Sequence, residues 1–576
     1  MTLLASVAGR ASLFVYIPFL LGAGAVVSAT RYNANSPVGM NLAPVTYWST
    51  EQPFINIFKV TSGFDAMIAT SSKSTGEEQN LDLDSDGWPI TLTARRNSAP
   101  QVFTELRAVL RPQLFPTSNG VASTVRYVVR YQGQGTIAYG EAAKQNIGLS
   151  SSGRDVLDVT RNQYGGSFFL TIKSTDPHHT GNYIRNIQVL RADQEQALLA
   201  GQIFNPRFLE VLRDFRALRF LDWLHANGSK QSNWSERPKI TNAIWSTAGG
   251  VPYEAIIQLS NTLSADPWLT LPAMADDNYI TQLANLVHSS LGPTQKAYIE
   301  LSNETWNDSF EQSRWISAQG KAMFPGVSGY FQNRTWYGMR TAQMCDIWKS
   351  VWATDFNRVV CVLAAQASSV ATAIDSLNCT AWTAGAPCSA HNIGAVAIAP
   401  YFGYSVPRAW TTQEDGGLKS LFESLYSQND STIPAGGWIH WAVDLVSTYQ
   451  RALIKYKLPL LAYEGGQTFI AFPHGTNADN SNNALTNLYI AANRDPRMEL
   501  AYQTYLDGWR TTGGQLFIHY SDVGEYSQYG EFAALETITE TTDPLNLAPP
   551  KWRAIERFIG ANPCWWAACE GSLKLN

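Results

Sequence analysis

From about Gln202 onward, short near-continuous apolar runs alternate with amphipathic stretches, and this alternation constrains the chain more than any other feature. The runs are "ALRFL" (217–221), "PWLTL" (267–271), "KAYIEL" (296–301), "RVVCVLA" (358–364), "GAVAIA" (394–399), "LPLLAY" (458–463) and "GQLFIH" (514–519). Between them lie segments with helical periodicity, among them "NYITQLANLVHSS", "WAVDLVSTYQRALIKY" and "ELAYQTYLDGWRTT". Strands that are apolar along their whole length are buried on both faces, and interleaved helices supply the crossovers of a parallel sheet. An eighth run, "VGMNLA" (38–43), stands far upstream, followed by an expected helix over "QPFINIFKV". Eight such units predict an α/β fold, a (β/α)8 TIM barrel, with an open doubly wound sheet as the alternative.

The barrel pattern is interrupted. From about Asp84 to Leu190 short alternating runs such as "TVRYVVRYQGQGTIAYG", "RDVLDVT", "GSFFLTIKST" and "GNYIRNIQVLR" are separated by Gly, Ser and Asn clusters. Period-two alternation bounded by turn residues predicts a β-sandwich, inserted between the first and second barrel strands. The expected organisation is an export signal over 1–29 and the first barrel strand and helix over 30–80. The inserted sandwich then spans 81–195, and the remainder of the barrel 196–576.

The N-terminal reading rests on Arg10, the apolar run "SLFVYIPFLLGAGAVV" and the small residues of "VSA" (Val27–Ala29), the order found in a secretory signal. An uncleaved N-terminal membrane anchor is the alternative. With the signal removed, the expectation is a secreted monomer with no stable membrane association. Six cysteines in an oxidising compartment are disulfide candidates: Cys379 with Cys388, Cys564 with Cys569, and Cys345 with Cys361 as the remainder. Seven Asn-x-Ser/Thr triplets begin at Asn227, Asn233, Asn303, Asn307, Asn333, Asn378 and Asn429, hinting at glycosylation. Net charge is −5 with no basic run, which argues against a nucleic-acid partner. The 19 Trp and 25 Tyr serve core packing and also offer flat faces to sugar rings.

Two glutamates stand at equivalent points of the pattern. "KAYIEL" runs into "SNETWN", placing Glu304 just past the fourth strand, and "LPLLAY" runs into "EGGQ", placing Glu464 just past the seventh. Strand C-terminal ends converge on one face of a barrel, so residues distant in sequence can meet there. Two carboxyl groups flanking a glycosidic bond are what its hydrolysis requires.

The Asn-Glu ending the fourth strand and the Glu ending the seventh resemble those of clan A glycoside hydrolases, a group that includes family 5 cellulases and mannanases. "YIELSNETWN" and "PPKWRAIERF" further resemble secreted cellulose-binding or hydrolase-like proteins, over roughly the two-thirds of the chain assigned to the barrel. The resemblance implies that Glu304 is the acid/base, Glu464 the nucleophile, and Asn303 the partner of the sugar 2-hydroxyl. It also implies that Arg219 in strand two orients the nucleophile and that Tyr401 after strand six hydrogen-bonds it. The sequence departs from family 5 at Ala399, where a His is expected, and at His519 and Tyr520, where strand eight usually ends in Trp. Trp306, Trp48 and Tyr47 are candidates for stacking on sugar, and Asp276 and Asp277 for rim acceptors or a helix cap.

No cofactor is required, and no metal site is expected. "DLDSDG" (Asp82–Gly87) matches the opening of a calcium loop, but Thr93 occupies the position where the closing acid belongs. "DPHHT" (Asp176–Thr180) reads as a loop. The expected activity is retaining glycoside hydrolysis of a β-linked polysaccharide or oligosaccharide, with cellulose, β-glucan or mannan favoured. Two other readings keep the scaffold: a non-catalytic carbohydrate-binding or adhesion protein, and a transglycosylase.

Overall fold

The computed structural model describes residues 33, 35–68, 80–94, 101–112, 124–161, 166–471, 484–542, 548–566 and 569. The expected export signal over 1–29 lies outside the described residues. Eight parallel strands close into a barrel in sequence order: β1 (Val38–Asn41), β2 (Ala217–Arg219), β3 (Asp266–Leu271), β4 (Ala297–Leu301), β5 (Val359–Ala364), β6 (Ile393–Ile398), β7 (Leu460–Ala462) and β8 (Phe517–His519). β8 pairs with β1 through Val38–Phe517, Gly39–Ile518 and Met40–His519, which closes the ring. The open-sheet alternative is thereby excluded.

Successive side chains on each strand face opposite sides. Leu218, Leu269, Ile299 and Leu301 pack outward into the large core shared with the helices. Ala217, Trp268, Tyr298, Leu461, Tyr463, Leu516 and Ile518 fill the barrel interior. On β6 the inward residues are Ala395 and Ala397, and these small side chains leave room for Trp268 to stack on Tyr298 at 5.2 Å. The helices follow the sequence pattern, and the last, Pro550–Ala561, begins on its proline as expected.

The antiparallel sheets lie between β1 and β2 in sequence. One has the strand order 185–191, 124–132, 154–160, 143–145; the other has 65–67, 105–110, 168–175, 135–141; a small third sheet joins 81–83, 89–94 and 101–102. Their shared core includes Phe58, Trp88, Leu106, Tyr127, Leu157, Phe168 and Leu170. The first of these strands, Asp65–Met67, pairs with Glu105–Arg107, ahead of the boundary read at residue 81.

Three expectations need correction. The helix over "QPFINIFKV" is a single 3-10 turn, Ile57–Val60. Pro53 and the β-branched Ile55 and Ile57 disfavour a longer helix. The Asn56 side chain accepts from both the Phe58 and Val189 amides, so Ile57 and Phe58 are directed into the sandwich core instead. Cys379–Cys388 and Cys564–Cys569 are disulfides, but Cys345 and Cys361 are buried free thiols. Both occupy apolar core positions, one on helix Tyr330–Trp352 and the other on β5. Among the glycosylation triplets, Asn303 and Asn333 are buried and their amides are engaged within the protein, so neither can carry a glycan in this fold.

Candidate active site

The C-terminal end of the barrel interior holds a charged layer in place of the apolar one below it. Arg219, the last residue of β2, points inward by the same alternation that turns Leu218 outward, and it is fully buried. A guanidinium there requires compensation, because an unpaired buried charge is costly. Every nitrogen is engaged: Nε donates to Glu300 Oε2 at 3.0 Å, and Nη2 donates to Glu300 Oε1 at 3.1 Å and Asn303 Oδ1 at 2.9 Å. Nη1 donates to Asn41 Oδ1 at 3.1 Å and Glu464 Oε1 at 2.8 Å. Burial opposes the Arg219 charge, but Glu300 and Glu464 outweigh it and hold the group above its ordinary pKa.

Glu464 follows β7 and is nearly buried. Besides Arg219 it accepts from the Tyr401 hydroxyl at 2.9 Å, so two fixed donors grip its two oxygens. The following Gly465 and Gly466 are required by space. A Cβ on Gly465 would lie 2.4 Å from Phe517, and Gly466, at φ +135°, would bring one to 2.9 Å from the Tyr502 hydroxyl.

Glu304 follows β4 on a sharp turn in which Ser302 (φ +60°) and Glu304 itself (φ +41°) occupy the left-handed region. Such non-glycine conformations cost about 1 kcal/mol or more each and mark sites where side-chain direction matters. Its carboxyl accepts from Asn307 Nδ2 at 2.8 Å, and the Tyr463 hydroxyl stands 3.5 Å away. Burial first, and then the nearby Glu464 charge, push the Glu304 pKa up to about 7, against the smaller opposing effects of Asn307 and Arg219. One carboxyl is thus held by two donors while the other is biased toward the neutral acid, the asymmetry that separates a nucleophile from a general acid.

A cavity of about 640 Å³ opens beside Glu304. Trp306, Asn307, Ala399 and Tyr401 line it, together with Tyr404, Trp438 and Trp441. The last three rings form a cluster with centroids 5.3–5.9 Å apart. Ala399 lies where the resemblance predicts a His and contributes only a methyl group to the wall.

The structure therefore brings together Glu304, Glu464, Asn303, Arg219 and Tyr401, and sets Trp306 beside Glu304. Tyr520 joins them after β8 by donating to Asp222 at 3.3 Å. His519 does not join them. It is fully buried, packs against Tyr502, and burial lowers its pKa to about 3, so it is a neutral core residue. Trp48 does not join them either. It is 59% exposed and stands edge-on to Tyr47, and its carbonyl accepts from Arg111. Asp276 caps helix Asp277–Ser290 through the Tyr279 amide, which settles its role as a cap. In "DLDSDG", Asp84 accepts from the Asp86 and Trp88 amides and from Tyr183, which is loop architecture.

Sequence reasoning missed four residues. Glu300 sits in the middle of an apolar strand, an unusual place for an acid, and that anomaly was the available signal. Tyr463 lies under Glu304 with the Arg219 guanidinium 5.0 Å from its ring. Asn307 was read only as a glycosylation triplet. Asp222, after β2, carries a carboxyl pushed up to about 7 by burial and then by Glu464.

The raised Glu304 pKa has a stability consequence whose sign is fixed. Below the unfolded-state value near 4.5, Glu304 is neutral in both states; as pH rises through about 7, its ionisation in the folded state is disfavoured and stability is lost. Glu304→Gln, neutral throughout, is expected to be more stable than the parent at about pH 8, by on the order of 2 kcal/mol. The gain should vanish near pH 4. Chemical denaturation at both pH values checks this; an equal effect at the two would mean that packing, not ionisation, controls it.

A scan against protein-family models and a search of curated proteins return no match to this chain. Among solved structures, the chain is similar to a 4-O-alpha-L-rhamnosyl-beta-D-glucuronidase from Fusarium oxysporum at 12% identity and a TM-score of 0.34, over 62% of this chain and 65% of that one. It is also similar to an exo-beta-1,4-mannosidase from an Opitutaceae bacterium, at 11% identity and a TM-score of 0.34, over 65% and 57% of the two chains. A Bacteroidetes-affiliated GH5 cellulase matches at 9% identity and a TM-score of 0.33, over 62% and 84%. The chain spans less than two thirds of the length of the first two. At these identities and TM-scores the likeness carries no argument, and the fold and the chemistry rest on the strand order and on the site's own geometry.

Proposed function

We propose that this chain is a retaining glycoside hydrolase acting on a β-linked polysaccharide or oligosaccharide. The observation that carries the reading is the unequal pair at the barrel mouth. Glu464 is held by Arg219 and Tyr401, while Glu304 is biased toward its neutral form beside an aromatic cavity.

In the first step Glu304 gives its proton to the glycosidic oxygen as Glu464 attacks the anomeric carbon, forming a glycosyl ester and releasing the leaving group. Glu304, now ionised, takes a proton from water, and that water displaces Glu464. Arg219 and Tyr401 fix the Glu464 carboxylate in line with the anomeric carbon, and Asn303 stands beside them to meet the neighbouring hydroxyl. The aromatic wall supplies apolar faces for the leaving group's sugar rings. We further propose export to an oxidising compartment, where the two disulfides persist. No helix among the described residues is long and apolar enough to cross a membrane.

Activity on a panel of glucans, mannans and xylans, read as new reducing ends, tests the reading; binding without release on the whole panel would favour a non-catalytic carbohydrate-binding protein. Because Glu304 must be protonated to act as acid, kcat/KM is expected to fall as pH rises through about 7. A pH–rate profile between about pH 4 and pH 9 checks it, and a falling limb displaced by two or more pH units would contradict the assignment.

A further inference from the structure

We infer that Asp222 is the specificity residue for the sugar attacked by Glu464, anchoring its hydroxyls and selecting an uncharged glycone over a uronic acid. The inference rests on the glycosidase reading and extends it to substrate class. Asp222 follows β2, three residues after Arg219, and is half-buried with one oxygen committed: Oδ2 accepts from Tyr520 at 3.3 Å. That bond, from Tyr520 to Oδ2, is the side-chain hydrogen bond Asp222 makes among the described residues. Its partner Tyr520 packs on Phe532, Phe532 packs on Tyr401, and Tyr401 donates to Glu464, whereas none of Asp222, Tyr520 and Phe532 lines the cavity beside Glu304. Asp222 therefore stands on the side of the nucleophile away from the acid/base, where the ring of the attacked sugar must lie. The leaving group occupies the Glu304 side, with its cavity.

The surroundings agree. Phe532 packs 5.5 Å from Tyr520 and 6.2 Å from Tyr401, so these rings form one wall around Glu464, with the Asp222 carboxylate at its end. An apolar wall beside a lone acceptor fits a pyranose, whose ring carbons pack on aromatics and whose vicinal hydroxyls donate to a carboxylate. Charge narrows the class further. Asp222 adds a second acid beside Glu464, and every nitrogen of Arg219 is already engaged, so that guanidinium is not free to meet a sugar carboxylate. A carboxylated sugar would add another negative charge to this group, which disfavours it.

The test uses the full chain and 2,4-dinitrophenyl 2-deoxy-2-fluoro β-glycosides of gluco, manno, xylo and glucurono configuration, with the 3-deoxy and 4-deoxy analogues of the best neutral probe. Labelling of Glu464 is followed by mass spectrometry. A neutral probe is expected to label the parent chain at least about 100-fold faster than the glucuronide. Asp222→Ala should slow the best neutral probe by about 10- to 100-fold, yet slow one of its deoxy analogues less than about threefold, because the lost hydroxyl is the anchored one. Asp222→Asn should narrow the gap between neutral and acidic probes. A glucuronide as the best probe, or an equal slowing of every analogue, overturns the inference while leaving the glycosidase reading in place. Absence of label at Glu464 with all probes overturns both.

Discussion

Glu464→Gly is expected to lower turnover by about 10⁵-fold or more while leaving the fold intact. On the proposed reading the loss removes the attacking oxygen, so no rearrangement of neighbours can replace it. Space also favours the variant, since the next two residues are already glycines packed against Phe517 and Tyr502. The vacated volume admits a small anion beside Arg219 and Tyr401. Azide should therefore restore turnover, giving a glycosyl azide of inverted configuration. Glu304→Ala should behave differently with the same anion: azide intercepts the glycosyl ester on Glu464, and the product azide retains configuration. Identical azide products from both variants would mean that the roles are misassigned.

Arg219→Met is expected to be the most damaging single change to the fold among the site residues. It leaves Glu300 fully buried, with the Trp268 indole at 2.7 Å as its remaining side-chain donor among the described residues, and it strips Glu464 and Asn303 of a partner. Breaking a buried pair by deleting one member costs about 3–5 kcal/mol, since the stranded charge remains. The account makes a sharper statement about the double variant Arg219→Met/Glu300→Gln. Neutralising Glu300 removes most of the stranded charge, so stability should return to within about 1–2 kcal/mol of the parent. Activity should stay at least about 100-fold low, because Glu464 is no longer oriented. Urea denaturation and turnover on the same preparations separate the two effects. Recovery of both together would show that Arg219 acts through stability alone.

The barrel was legible because burial on both faces leaves a near-continuous apolar signature, and the eight strands match the runs that carry it, two of them starting one residue earlier, at Asp266 and Ile393. The positions of Glu304 and Glu464 followed from the same count. The segment 52–60 was misread because its apolar residues satisfy a helical period equally well, whereas Asn56 and the sandwich core decide its conformation. Cys345 and Cys361 illustrate another limit: parity suggests a third bridge, but small apolar thiols fit a core without one. His519 was taken for a pocket residue from its place at a strand end, yet β8 turns its ring into the core against Tyr502. Asp222, Glu300 and Tyr463 carry no motif. Their importance arises from Arg219, whose five donors collect partners from strands far apart in sequence. Such a network is assembled by barrel closure and has no local trace, apart from the oddity of an acid inside "KAYIEL".

The most direct test of the central claim is the anomeric configuration of the first-formed product, observed by proton NMR before mutarotation, on any β-linked substrate of the panel that is turned over. Attack by Glu464 followed by water on the glycosyl ester predicts the β-anomer first, with the α-anomer appearing only as the two equilibrate. Initial release of the α-anomer would mean that water attacks directly, and would contradict the assignment of Glu464 as nucleophile.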